Sequence, residues 1–442
     1  MEKLKSLQAS LSATLLPFLL FSIYLFSNPS NVEGFGLLRN RLRGKVVFHV
    51  DDYGAKGDGF HDDTKAIKDV WEKACLFPTT LKVLINFPPE KTYLVHPINF
   101  TGPCLPKLTL KIRGAIIAPI DPDAWEGLNP RRWLYFHEID HLSIEGGGAI
   151  DGRGHGWWDR SCKRNTSRPC EHAPTALTFH HCNYLKIKEL VMINSQQMHL
   201  AFTNCIHVLA SQLKVIAPAT SPNTDGIHIS SSVNVQVLNS LVETGDDCIS
   251  IVGNSTFIVI KNLVCGPGHG ISIGSLGKNE SLVQVRDVMV DGAFLSHTKN
   301  GLRIKTWQGG SGFASNITFQ NIYMENVSHP IIIDQYYCDS LDPCLNETSA
   351  VQVKDVSFYT IRGTSATKDA MLFSCSDLFP CKNLYLEDIQ LVRYNGGLIT
   401  SSCWQAEVLS SSLVYPPACF SSGETLISLK DDHNSTASLQ ST

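Results

Sequence analysis

The feature that most constrains this chain is a repeat of 22 residues. Ile227, Ile249 and Ile271 each sit in a short apolar strand pattern, at two intervals of 22, and Leu302 opens the next, 31 residues later. Second strands recur between them, at Val233–Leu238, Phe257–Ile260, Val283–Val290 and Ile317–Ile322. Short runs of Val, Ile and Leu broken by Gly, Asn and Ser read as strands. A period near 22 with two or three strands per repeat suits a parallel β-helix, whose coils stack on one another to bury a continuous core. A β-propeller is the competing repeat, but its blades need about 40 to 50 residues. We therefore expect an all-β, single-domain parallel β-helix solenoid. Val46–Gly59 reads as a strand and a Gly-rich turn, and Asp62-Asp63-Thr64 offers N-cap groups for a short helix through about Cys75. That helix would cap the N-terminal end of the solenoid. Beyond it the chain shows little helical periodicity.

Stacking the repeats on their isoleucines sorts the polar residues into columns. One column reads Asp225, Asp247, His269, Asn300; the column after the first isoleucine reads His228, Ser250, Ser272, Arg303. Two places further on stand Ser230, Val252, Gly274 and Lys305, and Asp246 immediately precedes Asp247. Neighbouring strands lie about 4.7–4.9 Å apart, so the aspartates should climb the surface coil by coil. Side-chain alternation along a strand turns Arg303, Lys305 and Asp246 outward. Asp225, Asp247 and His269 have the inward parity, which strict alternation would bury. Glycines adjoin or lie near them (Gly226, Gly245, Gly270), so we place these three on the turn before the strand. One aspartate alone could simply brace a turn. Three together should not, because like charges this close raise at least one pKa. A hydrolase uses that situation: one carboxyl stays protonated as general acid while others orient a water.

Asn223-Thr224-Asp225-Gly226, Gly245-Asp246-Asp247-Cys248, Gly268-His269-Gly270 and Arg303-Ile304-Lys305 resemble, in order and spacing, the four signature segments of polygalacturonases, glycoside hydrolase family twenty-eight. Asp52–Gly59 and Gly274-Ser275-Leu276-Gly277 extend the match to plant-type members, and the resemblance spans roughly residues 48 to 420. It implies a right-handed parallel β-helix and hydrolysis of α-1,4-galacturonosyl bonds in homogalacturonan, with inversion. It implies that Asp246 is the general acid and that Asp225 and Asp247 hold and deprotonate the water. It implies that His269 tunes Asp246 or touches substrate, and that Asn223, Arg303, Lys305 and Tyr337 bind it. For His269 the competing reading is a structural histidine; for Tyr337, a core tyrosine. No cofactor or metal is expected. Endo action is expected over exo action. Alternatives are an exo-polygalacturonase and a rhamnogalacturonan or xylogalacturonan hydrolase. More distant are a calcium-dependent pectate lyase and a non-catalytic cell-wall solenoid.

Residues 1–33 read as a signal peptide: a basic start, then the apolar run Ser12–Phe26, short for a spanning helix. An uncleaved anchor is the competing reading. An N-terminal segment (34–47), the catalytic domain (48–420) and a polar tail (421–442) follow. Fourteen cysteines fit an oxidising compartment. Cys338/Cys344 and Cys375/Cys381 are close pairs, Cys403/Cys419 could close a C-terminal loop, and Cys248 with Cys265 would pin the turn bearing Asp246 and Asp247. Eight N-x-S/T sequons, at Asn99, Asn165, Asn254, Asn279, Asn316, Asn326, Asn346 and Asn434, also point to the secretory route and a cell-wall location. The formal net charge of −4 argues against nucleic acid as a partner. It also means that an acidic polysaccharide must be attracted by a few local cations. A monomer is expected, with no stable membrane association once the signal is removed.

Overall fold

The computed structural model describes residues 44–340 and 343–419. The expected signal peptide, most of the expected N-terminal segment, the polar tail and the Asn434 sequon lie outside them. The described chain winds as a right-handed parallel β-helix. One face is an eleven-stranded parallel sheet; the remaining strands form a nineteen-stranded sheet that wraps the other sides. The first strand, Lys45–His49, starts ahead of the boundary expected at residue 48.

The register is the one read from the repeat. Ile227 pairs with Ile249, Ile249 with Ile271, and Ile271 with Leu302. Ile229, Ile251, Ile273 and Ile304 form the parallel column, and both columns are fully buried. Towards the N-terminus the second column becomes aromatic: Phe100, Phe136, Phe179 and Phe202 stack with ring centroids 4.5–5.7 Å apart. The helix Thr64–Cys75 closes that end. Its buried face is Ala66, Ile67, Val70, Trp71 and Ala74, at helical spacing, and Trp71 packs edge-on against Phe100 and Phe136. The expected cap differs in detail. Asp62 accepts from the Thr64 amide, while Asp63 turns away to accept from the Lys56 and Gly57 amides.

The second strands are longer than read from sequence. Val233–Glu243, Ser255–Cys265, Leu282–Ser296 and Ser311–Val327 each continue through a corner of one residue. Asn239, Asn262, Gly292 and Asn321 hold these corners with positive φ, a region that asparagine and glycine enter readily. Asn262 also donates to the Asn239 side chain one coil below, at 2.9 Å. A second short helix, His155–Arg160, was not anticipated, being too short to show a period.

All four expected disulfides are present, Cys248–Cys265, Cys338–Cys344, Cys375–Cys381 and Cys403–Cys419. Two more, Cys75–Cys104 and Cys162–Cys170, were not read from spacing, and Cys182 and Cys205 are buried thiols. No described helix is long and apolar enough to cross a membrane.

Ile251 is fully buried in the stacked column, between Ile229 and Ile273. Ile251→Ala should cost about 2–5 kcal/mol, because a rigid stack refills a cavity poorly. A thermal melt would check this; an unchanged midpoint would contradict the packing.

Candidate active site

The turn before each strand of the eleven-stranded face carries the polar column. Asp225 precedes Ile227–Ser230, Asp246 and Asp247 precede Ile249–Val252, and His269 precedes Ile271–Leu276. All lie outside the strands, which is why inward parity does not bury them in the core. Two glycines make these turns possible. A Cβ on Gly245 would sit 2.0 Å from the Ser221 carbonyl oxygen, and one on Gly270, at φ +85°, 2.0 Å from that of Asn300.

The three carboxylates have different surroundings. Asp247 is the most buried, with a side chain 3% exposed. The Arg303 guanidinium donates to its Oδ1 at 2.6 Å and the Lys305 ammonium to its Oδ2 at 2.9 Å. Arg303 and Lys305 do share one face, as parity requires. They are not the solvent-facing cations expected, being only 8% and 7% exposed, because Asp247 draws both inward. Ser272 donates to Asp247 at 2.8 Å and accepts from Arg303 Nε.

Asp225 accepts from Ser250 Oγ at 2.8 Å, with His228 Nδ1 3.7 Å away. Burial first, then the charge of Asp246, raises its carboxyl above the ordinary range, with His228 opposing. Asp246 is the most accessible of the three. Its Oδ1 takes hydrogen bonds from His269 Nδ1 at 2.9 Å and from the Asp247 amide at 2.8 Å; Asn223 Nδ2 donates to Oδ2 at 3.4 Å. Burial pushes this carboxyl up, but the His269 hydrogen bond and charge, helped by Lys305, hold it below the ordinary range. One carboxyl of the cluster is indeed raised, but in the ligand-free site it is Asp225, not Asp246.

Asn223, Asp246, His269, Arg303, Lys305 and Tyr337 line a single cleft, whereas the expected Asp225 and Asp247 are buried and are not among its lining. Tyr337 is a wall of this cleft and not a core residue. Lys305 Nζ sits 5.3 Å from its ring centroid, and Trp307 packs edge-on against it.

The family model of glycosyl hydrolases family 28 matches residues 79–412. The chain belongs to that family. Among curated relatives, a probable polygalacturonase of Arabidopsis thaliana is 58% identical over 382 residues, 86% of each chain. A polygalacturonase of Persea americana is 53% identical over 354 residues, 80% of this chain and 76% of its own. Among solved structures, a hyperthermoactive exopolygalacturonase of Thermotoga maritima shares the fold, with a TM-score of 0.68 at 20% identity, covering 83% of this chain and 90% of its own.

This family 28 glycoside hydrolase holds supporting residues that sequence reasoning missed. Ser250 and Ser272 stood in the right column without a role; each donates to the aspartate of the preceding coil. His199 is wholly buried one coil below Asp225. Its Nδ1–H donates to the Asp225 carbonyl at 3.1 Å and its Nε2 accepts from the Ser195 amide, and burial pushes its pKa down to about 4. A neutral imidazole thus braces the Asp225 turn.

Oxygens of Asp246 and Asp247 and a ring nitrogen of His269 lie within 4.8 Å of one another. The group suits a cation poorly. Both oxygens of Asp247 are taken by Arg303 and Lys305, and Asp246 Oδ1 by His269 and an amide, whereas calcium needs six to eight oxygens.

The raised carboxyl of Asp225 has a consequence for stability. Between the unfolded and the folded pKa the native state holds the extra proton, so stability falls as pH rises through that window. Asp225→Asn keeps the shape and the Ser250 bond but removes the charge. Its melting temperature should exceed that of the parent at pH 7, and the gain should fade below the ordinary carboxylate range. A variant less stable at every pH would contradict this.

Proposed function

We propose that this family 28 hydrolase is a secreted, monomeric polygalacturonase that cuts internal α-1,4-galacturonosyl bonds of homogalacturonan in the cell wall. The observation that carries the reading is that Asp246, Arg303 and Lys305 line one cleft, with Asp247 paired to both cations and Asp225 close enough for the charge of Asp246 to act on it. Counted as ions, Arg303, Lys305 and Asp247 leave one net positive charge. Each cation has donors to spare for a sugar carboxylate. The close relatives are named polygalacturonases, which supports the same substrate. Room on both sides supports endo action: the strand face continues for four strands before Ile227–Ser230 and three after Asn300–Thr306.

In this mechanism Asp246, the carboxyl most open to the cleft, donates its proton to the glycosidic oxygen as the bond to the anomeric carbon breaks. Asp225 and Asp247 hold a water and take its proton as it attacks the opposite face. Asp246 must therefore be protonated in the complex although the free site favours its ionised form. An arriving galacturonate carboxylate supplies the change, because it offsets Lys305 and adds negative charge nearby. Inversion is the expected outcome, although oxygens of Asp246 and Asp247 lie closer than the roughly 6.5–9.5 Å of ordinary inverting pairs. Sharing the water with Asp225 accounts for the difference. The anomer first released, followed by NMR, decides it.

Asp246→Asn should lose roughly a hundred- to ten-thousand-fold in kcat on polygalacturonate, since an amide cannot donate the proton. His269→Ala should move the basic limb of the pH profile of kcat/KM to higher pH, because losing the hydrogen bond lets the Asp246 pKa rise. A normal rate for the first variant, or an unmoved limb for the second, would remove Asp246 from the acid role.

Arg303→Ala and Lys305→Ala should lower kcat/KM on unesterified galacturonan by about tenfold to more than a hundredfold. Part of that loss comes from disturbing Asp247 and should persist on fully methyl-esterified pectin. The part due to recognition should vanish there. Equal losses on both substrates would confine the two cations to holding Asp247.

A further inference from the structure

Two loops meet at the rim of the cleft. One runs from the helix His155–Arg160 to the strand Thr175–His180 and carries Lys163, next to the disulfide Cys162–Cys170. The other follows the strand His329–Asp334 and carries Asp339, next to the disulfide Cys338–Cys344. The Lys163 ammonium is paired with the Asp339 carboxylate, and both residues line the cleft that holds Asp246, His269, Arg303 and Lys305. Between Thr175–His180 and His329–Asp334 the sheet runs through Leu200–Thr203, Ile227–Ser230, Ile249–Val252, Ile271–Leu276 and Asn300–Thr306. Four of these five strands carry the aspartate turns, the His269 turn, or Arg303 and Lys305. The ion pair therefore ties together loops that leave the sheet on opposite flanks of the catalytic coils.

We propose that Lys163 is a further cation for binding substrate carboxylates, and that Asp339 occupies it in the ligand-free protein until a galacturonate displaces it. The proposal rests on the polygalacturonase reading. The pair is suited to exchange. Its side chains are 45% and 46% exposed, so it is worth little in water and its loss costs little. The incoming group is a carboxylate, the same chemistry as the one it replaces. Each partner is adjacent to a disulfide that closes a short loop, so both should stay at the rim when the pair opens. Opening also matters for internal bonds: a polymer bound mid-chain must enter the cleft from the side, past a contact that joins the two walls. Asp339 is a competitor that keeps Lys163 from being free until the substrate pays it out with its own charge.

The test is steady-state kinetics of the parent, K163Q, D339N and the double variant, at fixed ionic strength, on unesterified polygalacturonate and on highly methyl-esterified pectin. K163Q should raise KM on polygalacturonate about two- to fivefold, the range set by an exposed charge pair, with kcat little changed. D339N should lower KM by a similar factor. The double variant should behave as K163Q, because Asp339 acts through Lys163. On esterified pectin all these shifts should shrink towards none. Misfolding cannot produce a lowered KM, so opposite signs for the single variants are diagnostic. Single variants that shift KM in the same direction, or that leave it unmoved, would reduce the pair to a structural clasp and overturn the proposal. Shifts of equal size on both substrates would overturn it too. A parent that cleaves no galacturonan would overturn the polygalacturonase reading, and this proposal with it.

Discussion

Parallel backbone hydrogen bonding lays each coil on the one before, about 4.8 Å away, and fixes which side chains stand above one another. The core depends on this register, since it sets isoleucine on isoleucine and phenylalanine on phenylalanine in successive coils. The site depends on it equally. Ser250 reaches Asp225 and Ser272 reaches Asp247 because each serine stands one coil above the aspartate it serves. A slip of one residue in any coil would turn a column of core side chains outward and separate the carboxylates from their partners.

Concentrating charge on neighbouring turns in the middle of such a stack carries a cost, and the surroundings answer it differently at each aspartate. Asp247 is buried deepest and receives two cations. Asp246 keeps some access to water and leans on His269. Asp225 has only a hydroxyl and a more distant imidazole, and burial with the charge of Asp246 raises its carboxyl. The ligand-free protein thus stores its cations on its own acids. On the proposed function, binding of an acidic sugar becomes a redistribution of existing pairs more than the capture of a charge by an empty pocket.

Much of this was legible in the sequence because a solenoid converts spacing directly into contact. The isoleucine register follows from the 22-residue period, the turn position of the aspartates from parity and the neighbouring glycines, and the Cys248–Cys265 bond from two cysteines flanking one coil. Parity gave the direction of Arg303 and Lys305 but not their reach, so their capture by Asp247, 56 and 58 residues away, was invisible. The serines were in view without a function, since a hydroxyl announces no partner. Lys163 and Asp339 are separated by 176 residues and lie on loops outside the repeat, where no period relates them. The direction of the Asp246 shift depended on the balance between burial and His269, which spacing cannot weigh.

The corners at Asn239, Asn262, Gly292 and Asn321 occupy one residue in each of four successive coils, while the connections leaving the cleft strands do not keep a constant length. After Ile249–Val252 the next strand begins at Ser255; after His329–Asp334 it begins only at Gln352. The chain therefore has a rigid spine and an elastic front. Insertions at the corners would break the ladder of every later coil, whereas insertions at the front alter the rim and leave the frame untouched. Such a molecule can change the shape of what it accepts by editing loops alone, with the aspartate turns carried along unchanged on a scaffold that does not register the edit.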